Sequence, residues 1–366
     1  MNMVEGNPGA RVIYMPSYLL SRLATYKEKL KFPWNHRGDF SYPYIFVTYA
    51  DGKHFADLRN FWEVDSNKGL IMSDSGGFQI LARGENEDAP QDTRINPEDV
   101  IEWQNKNCDV AMTLDEPPYD SVYKTALFKW EEKMAQTVLN TKIALDRKKG
   151  GLQLYATIHG LDESNWFDWK IAVDSAGGLD GYAIGLPSKP NIIIEFLKFV
   201  LDHKIEKPLH FFKMGGSTEF LLLSRFSKYY PSLITVDASS FMIHMNSYTQ
   251  VLSPTNLSQT IEIGDRSDNF SHTRVGCLCP VCQNNKELSN QEFRLFGYFA
   301  FHNLYMFAWH YEYLNSIAGE RVGTIRNLLG DYNARYIEVI DRICARHADP
   351  NIKIQSGLED YFQGRN

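Results

Sequence analysis

The sequence has no long hydrophobic run, and its first residues do not resemble a signal peptide. Each absence argues against a class of protein. No stretch approaches the roughly 18 consecutive apolar residues that a membrane-spanning helix requires. The segment Met1–Arg11 is polar and glycine-rich, without the apolar core of a signal peptide. The chain also has only five cysteines, an odd number, which does not fit a secreted disulfide framework. These features predict a cytoplasmic protein.

Two further absences limit the chemistry. The 366 residues contain no G-x-x-x-x-G-K-[ST] phosphate loop and no G-x-G-x-x-G turn after a strand, so neither a nucleoside triphosphate nor a redox dinucleotide is implied. The net charge of −7 argues against a protein that binds nucleic acid through its overall charge. A nucleic-acid partner would need a local patch of positive charge on the surface. Hydrophobic residues (43%) and aromatic residues (13%) suffice for a large core.

Short apolar runs alternate with amphipathic stretches along the chain. The runs lack regular polar–apolar alternation, which is typical of buried parallel strands. The predicted strands are Val12–Met15, Tyr44–Tyr49, Leu70–Ser73, Val110–Leu114, Leu152–Ile158, Gly181–Ile184, Leu209–Met214 and Leu233–Val236. The predicted helices are Pro97–Lys106, Tyr119–Arg147 (long enough for two), Ser164–Ser175, Asn191–His203 and Thr218–Tyr229. This order predicts an α/β fold, a (β/α)8 TIM barrel, over an open doubly wound sheet.

Barrel topology also predicts where the chemistry lies. Active sites of such barrels are built at the C-terminal ends of the strands, which meet at one mouth. The residues at or just after those ends are Asp74, Asp115, His159, Gly185, Met214 and Asp237. An aspartate after a strand is often only a helix N-cap. Three such acids with one imidazole nevertheless favour an acid–base site.

A cysteine-rich run near the C-terminus predicts a metal site. Cys277, Cys279 and Cys282 form a C-x-C-x-x-C pattern, and His302 follows at the start of an apolar, helix-like stretch. Three thiolates and one imidazole fill a tetrahedral zinc site, which indicates a structural Zn²⁺. His272 and His310 are alternative fourth ligands. The predicted domains are a catalytic barrel over 1–270 and a zinc-binding helical subdomain over 271–366, with helices at about 287–318 and 325–346.

The segment Asp74–Gln79 reads Asp-Ser-Gly-Gly-Phe-Gln. Together with the cysteine run it makes the chain, from about residue 70 to 305, resemble the tRNA-guanine transglycosylase superfamily. That family has a (β/α)8 barrel with a zinc subdomain, in agreement with the fold predicted above. The resemblance implies a pentosyltransferase that exchanges guanine in nucleic acid for a free 7-deazaguanine base.

The resemblance implies a role for several residues. Asp237 would be the nucleophile, because a carboxylate under C1′ stabilises an oxocarbenium-like state and can trap the sugar covalently. Asp74 would be the general acid/base for the departing and incoming bases. Asp115 would recognise the N1–H and 2-amino donors of guanine. The implied contacts to the base are Phe78 and Met214 on its two faces, Gly185 at its carbonyl, and Ser75 beside Asp74.

The sequence departs from the family in three places. His159 stands where the family usually has a glutamine that reads the base carbonyl, and an imidazole can donate to the same oxygen, although a structural histidine is an equal alternative. A single glycine precedes Leu186–Pro187 where the family has two. This difference leaves open which group the 7-deazaguanine substrate carries at its 7-position. Residues 238–245 contain no Arg or Lys, whereas tRNA-modifying members carry several arginines there.

The third departure favours the DNA guanine transglycosylases (the DpdA family) over the tRNA enzymes. The preferred prediction is therefore exchange of guanine in DNA for a base such as 7-cyano-7-deazaguanine, in the host cytoplasm if the chain is phage-encoded. The alternatives are the same exchange on tRNA (queuosine or archaeosine type), a non-catalytic partner subunit, and a nucleoside hydrolase. A homodimer is compatible with each of these.

Overall fold

In the computed structural model, the described residues are 11–348 except 19, 25–26, 28–30, 35–37, 65–68, 78–94, 121–125, 247–248, 254–258, 263–276, 290–291 and 293–296. Eight strands form one sheet: β1 Val12–Pro16, β2 Tyr44–Thr48, β3 Leu70–Asp74, β4 Val110–Met112, β5 Gln153–Ile158, β6 Gly181–Ile184, β7 Leu209–Phe211 and β8 Ile234–Ala238. All eight predicted strands are confirmed. Most are buried along their whole length, as expected for strands covered on both faces.

The strands pair in parallel and nearly close into a barrel. Consecutive strands pair from β2 through β8. In addition, β1 pairs with β8, so that Met15 lies opposite Asp237. A parallel bridge between Ser17 and Phe46 joins the two remaining edges, and the Tyr18 amide donates to the Phe46 carbonyl at 3.0 Å. The (β/α)8 fold predicted from the sequence is therefore confirmed.

Helices surround the barrel. The described helices are α1 Leu20–Ala24, α2 Tyr49–Gly52, α3 Leu58–Phe61, α4 Pro97–Asn107, α5 Trp130–Arg147, α6 Glu163–Asp174, α7 Pro190–Asp202, α8 Ser217–Phe226, α9 Ser240–Asn246, α10 Pro280–Asn284, α11 Tyr298–Ile317 and α12 Val322–Ala348. Asn96 caps α4 as predicted, by accepting from the Glu98 amide at 3.0 Å. None of them, within the described part of the chain, is long and apolar enough to cross a bilayer.

The structure differs from the sequence-based prediction in the region 119–147. One described helix, α5, occupies its second half, whereas Tyr119 forms an antiparallel bridge with Leu127. The later chain also adds a small hairpin of β9 Thr249–Val251 and β10 Thr260–Glu262. Each of these two strands contains only one apolar residue, which is too little hydrophobic pattern to be recognised from sequence.

The C-terminal helices pack directly on the barrel. Asn315 of α11 binds both backbone groups of Val12, accepting from its amide at 3.1 Å and donating to its carbonyl at 2.9 Å. One continuous hydrophobic cluster contains residues from Val12 to Cys344. A second, smaller cluster fills the barrel interior with Ile13, Met15, Phe46, Met72, Val110, Met112, Tyr155 and Ala183. The division at residue 270 remains a prediction.

Candidate active site

Asp74 is the last residue of β3 and is only 9% exposed. Burial, followed by the negative charges of Asp115 and Asp237, raises the pKa of its carboxyl to about 7, although hydrogen bonds from the Gly76 and Ser75 amides act against the shift. The three acids predicted to converge on the barrel mouth therefore lie within electrostatic reach of one another. A carboxyl with this pKa can both donate and accept a proton near neutral pH.

Asp115 lies three residues beyond β4 and is held by two side chains. His159 Nε2 lies 2.6 Å from its Oδ2, and the Ser75 hydroxyl donates to its Oδ1 at 3.2 Å. A carboxylate only accepts hydrogen bonds, so His159 is the donor through Nε2–H. Gly77 passes so close that a Cβ there would lie 2.2 Å from Oδ1. This segment of the glycine motif therefore shapes the wall around Asp115.

His159, the first residue after β5, is fixed by aromatic side chains. Its ring meets Tyr119 edge-on at 5.5 Å and Trp169 at 5.0 Å between centroids. The Tyr119 hydroxyl donates to the Gly185 carbonyl at 2.8 Å and accepts from the Gly160 amide at 3.0 Å. His159, predicted to read the base carbonyl, is hydrogen-bonded to Asp115, predicted to read the guanine edge.

Asp237 projects from the end of β8 and is 5% exposed. Its Oδ1 accepts from the backbone amide of Lys213 at 2.9 Å. His210 Nε2 lies 3.4 Å from the same oxygen. Among the described residues no donor binds Oδ2. Of the two carboxylate oxygens, Oδ1 is therefore the one that a described donor holds.

The loop after β7 explains how this arrangement arises. The strand was predicted to run to Met214, but it ends at Phe211. Lys213 then takes a left-handed conformation (φ 58°), which turns its amide away from the ladder and toward Asp237. Burial lowers the pKa of the Lys213 ammonium, and the negative charges of Asp237 and Asp74 oppose that shift. This lysine adds a positive charge beside two of the acids.

The remaining predicted base contacts differ in outcome. Phe78 lies outside the described residues. Met214 is fully buried in the main hydrophobic cluster. The Gly185 amide donates to the Ile158 carbonyl at 3.0 Å, so this amide is engaged within the barrel. Gly185 supplies space instead, since a Cβ there would lie 2.6 Å from His159 Nδ1.

His210 and Lys213 are site residues that sequence reasoning missed. His210 lies inside the barrel at 0% exposure, with its ring stacked on Phe46 at 5.1 Å. The available signal was a histidine between two apolar residues of a predicted strand, where alternation places its side chain on the face opposite theirs. For Lys213 no comparable signal existed, because its backbone conformation is what matters.

The predicted metal ligands form one cluster. Their ligand atoms all lie within 4.8 Å of one another: Cys277, Cys279, Cys282 and His302. His302 Nδ1 lies 3.7, 3.1 and 3.4 Å from the three sulfurs in that order. A tetrahedral zinc site would separate nitrogen and sulfur by about 3.5 Å, so the cluster fits such an ion.

The hydrogen bonding of His302 supports the same conclusion. Its Nε2 donates to the Val251 carbonyl at 2.7 Å, which leaves Nδ1 facing the thiols. His310, an alternative ligand, instead contacts the Ser217 hydroxyl at 2.8 Å. His272 lies outside the described residues. The cluster could thus hold a metal ion with four protein ligands and no open position.

Comparison with known proteins identifies the family. Residues 46–314 match the family described as queuine tRNA-ribosyltransferase. The tRNA-guanine(15) transglycosylase of Methanococcus aeolicus is 26% identical over 323 residues, covering 83% of this chain and 43% of that protein. The corresponding protein of Methanococcus maripaludis strain C5 is 24% identical over 329 residues, covering 86% and 45%. The chain therefore spans less than half the length of these curated relatives. Because the match covers most of the sequence and the whole barrel mouth from β3 to β8, the chain belongs to the queuine tRNA-ribosyltransferase family.

Proposed function

We propose that this protein is a guanine transglycosylase, a pentosyltransferase that exchanges a guanine in tRNA for a free 7-deazaguanine. The observation that carries the proposal is the carboxyl of Asp74, whose pKa is raised to about 7 by burial and by the charges of Asp115 and Asp237. Base exchange needs one group that protonates the leaving purine and deprotonates its replacement. A carboxyl with a pKa near neutrality fulfils both tasks.

In the first half of the reaction, Asp237 Oδ2 attacks C1′ of the target nucleotide. A C1′–O bond forms and the C1′–N9 bond breaks, with its electron pair going to guanine and the Asp74 proton to the departing base. In the second half, Asp74 removes a proton from the incoming base, whose nitrogen attacks C1′ and releases the Asp237 carboxylate. The Lys213 amide on Oδ1, with no described donor on Oδ2, supports this assignment.

Asp115 would select guanine by its edge. Guanine presents two donors, N1–H and the 2-amino group, where adenine does not. Each carboxylate oxygen has two acceptor sites, so Asp115 can bind these donors while it keeps Ser75 and His159. His159 would then hold the carboxylate in position, a different role from the reading of the base carbonyl predicted from its sequence position.

The metal cluster lies outside this chemistry. Cys277, Cys279, Cys282 and His302 would hold a Zn²⁺ ion whose four protein ligands leave no position for substrate. Its contribution would be to tie α10 and α11 to the hairpin through the His302 contact with Val251.

Two observations point to different nucleic acids. The family description and the names of the relatives refer to tRNA, which favours tRNA as the substrate. The stretch 238–245 without Arg or Lys favours DNA as the second candidate. The DNA-modifying branch expected from the sequence is thus kept as the alternative.

A direct test measures incorporation of labelled guanine into bulk tRNA, plasmid DNA and single-stranded DNA in parallel. We expect incorporation into tRNA, and none with the Asp237→Asn variant, whose amide cannot act as the nucleophile. Incorporation into DNA alone would establish the alternative. Release of guanine without replacement would indicate a hydrolase, and inactivity on every substrate would support a partner subunit.

The same assay identifies the incoming base. Nucleic acid preloaded with labelled guanine is incubated with unlabelled 7-deazaguanines that differ at the 7-position. The base that displaces label fastest defines the substrate. The wall at Gly185 and Leu186 would be the part of the pocket that distinguishes them.

A further inference from the structure

We propose that His210 is a positioning residue for Asp237. Its Nε2–H would hold Oδ1, so that Oδ2 is the oxygen that attacks C1′. The role of His210 in catalysis rests on the proposed function, whereas its contact with Asp237 can be tested without turnover.

Two observations place the imidazole where it could act. His210 is fully buried inside the barrel, and its Nε2 has no hydrogen-bond partner among the described residues although it lies 3.4 Å from Asp237 Oδ1. Leaving a buried polar nitrogen unsatisfied is costly, so a small movement that closes this gap is favoured. The ring is held flat against Phe46 with an interplanar angle of 11° and meets Phe212 edge-on. Its freedom to turn elsewhere is therefore small.

The neighbouring strand determines which nitrogen carries the proton. Thr235 lies directly across from His210 in the β7–β8 pairing, and its Oγ1 is 2.8 Å from Nδ1. The same hydroxyl is 3.5 Å from the Leu209 carbonyl, a much weaker contact. When the Thr235 hydroxyl donates to Nδ1, the neutral imidazole carries its proton on Nε2. The opposite tautomer would direct a lone pair at a carboxylate, which is unfavourable.

The two donors on Oδ1 have a consequence for both halves of the reaction. With Nε2–H moved onto Oδ1, the Lys213 amide and the imidazole would together fix the rotation of the carboxylate, so that Oδ2 would face the sugar without a loss of orientation at each turnover. In the second half, the carboxylate is the leaving group. Two donors on Oδ1 would stabilise the charge that returns to it.

A matched pair of variants tests the role. His210→Gln keeps an amide near the position of Nε2, whereas His210→Asn keeps one near Nδ1 and loses the group beside Asp237. We expect kcat for guanine exchange to fall about 10- to 100-fold in His210→Asn, with KM for the nucleic acid nearly unchanged. His210→Gln should stay within about fivefold of the wild type. Equal kcat in the two variants, or an unchanged kcat in His210→Asn, would overturn the proposal.

Thr235 supplies a second, independent pair. Thr235→Val removes the donor that sets the tautomer, and Thr235→Ser restores it. We expect Thr235→Val to lower kcat by about tenfold and Thr235→Ser to recover it. If both variants lose activity in proportion to their thermal stability, the histidine has only a structural role and the proposal is wrong.

A spectroscopic readout separates this proposal from the proposed function. Protein with ¹⁵N-labelled histidine is compared with His210→Asn to assign the ring nitrogens of residue 210. We expect a protonated Nε2 and an unprotonated Nδ1; the reverse tautomer would refute the inference. This measurement requires no turnover. A wild-type protein that exchanges no base would refute the proposed function, whereas the tautomer of His210 would still be decided by this measurement.

Discussion

His159 Nε2 and Asp115 Oδ2 are 2.6 Å apart, the shortest contact of the barrel mouth described above. Both side chains are buried, and the ring is held by Tyr119 and Trp169. The imidazole therefore fixes the acid that is proposed to read the guanine edge. Disturbing either partner should affect recognition of the base more than binding of the nucleic acid.

The first prediction concerns His159. His159→Gln keeps a donor near the position of Nε2 and should retain most of the activity. His159→Leu removes the donor to Asp115 Oδ2, and kcat/KM for free guanine should fall about 10- to 100-fold. Steady-state kinetics with guanine and tRNA varied separately would measure this. A loss that appears only in KM for tRNA would contradict the proposed role.

The second prediction concerns pH and stability. The pKa of Asp74 is about 7 in the folded protein, above its ordinary value of 3.8. The folded state therefore binds this proton more tightly than the unfolded state, and stability is lost as pH rises toward and through 7. Between pH 5 and pH 8, the wild type should lose about 2 to 3 kcal/mol of unfolding free energy relative to Asp74→Asn. Denaturant unfolding at both pH values would test this; identical pH dependence would refute it.

The same carboxyl predicts the pH profile of activity. The form of Asp74 that donates to the leaving base is protonated, and the form that accepts from the incoming base is ionised. Exchange rates should therefore change near pH 7, where the pKa of Asp74 lies. Asp74→Asn should lose base exchange. A flat profile between pH 6 and 8 would argue that another group moves the proton.

A glycine substitution tests the space around His159. A Cβ at position 185 would lie 2.6 Å from His159 Nδ1, whereas a Cβ at Gly319 meets nothing within 4 Å. Gly185→Ala should displace the ring, weaken its bond to Asp115 and reduce guanine exchange about tenfold or more. Gly319→Ala is the matched control and should leave kcat unchanged. Equal effects in both variants would show that the clash has been absorbed elsewhere.

Removal of the metal ligands provides the last prediction. Cys282→Ser should abolish binding of one equivalent of zinc, measured by atomic absorption, and lower the thermal midpoint, because metal binding is coupled to folding. Cys108→Ser, at a half-buried cysteine outside the cluster, is the control and should keep its zinc. A strong chelator should destabilise the wild type and leave Cys282→Ser unaffected. Full zinc content in Cys282→Ser would refute the assignment.

The barrel, its eight strands and the metal cluster were predictable from sequence. Buried parallel strands appear as short apolar runs, and ligands at C-x-C-x-x-C spacing are limited by short loops to one side of an ion. Asp74, Asp115 and Asp237 were likewise predicted to meet. Each lies at or just after the end of a strand, and barrel topology brings those ends together.

The contacts between these side chains were decided by the tertiary structure. No pattern predicts that His159 binds Asp115 across 44 positions, or that Lys213 takes a left-handed conformation and turns its amide to Asp237. These contacts depend on how distant strands are aligned in register, and on where a ladder ends. The chain thus specified by itself which acids meet at the mouth of the barrel. Only packing across the sheet determined which groups hold these acids, and that Asp237 is held through Oδ1.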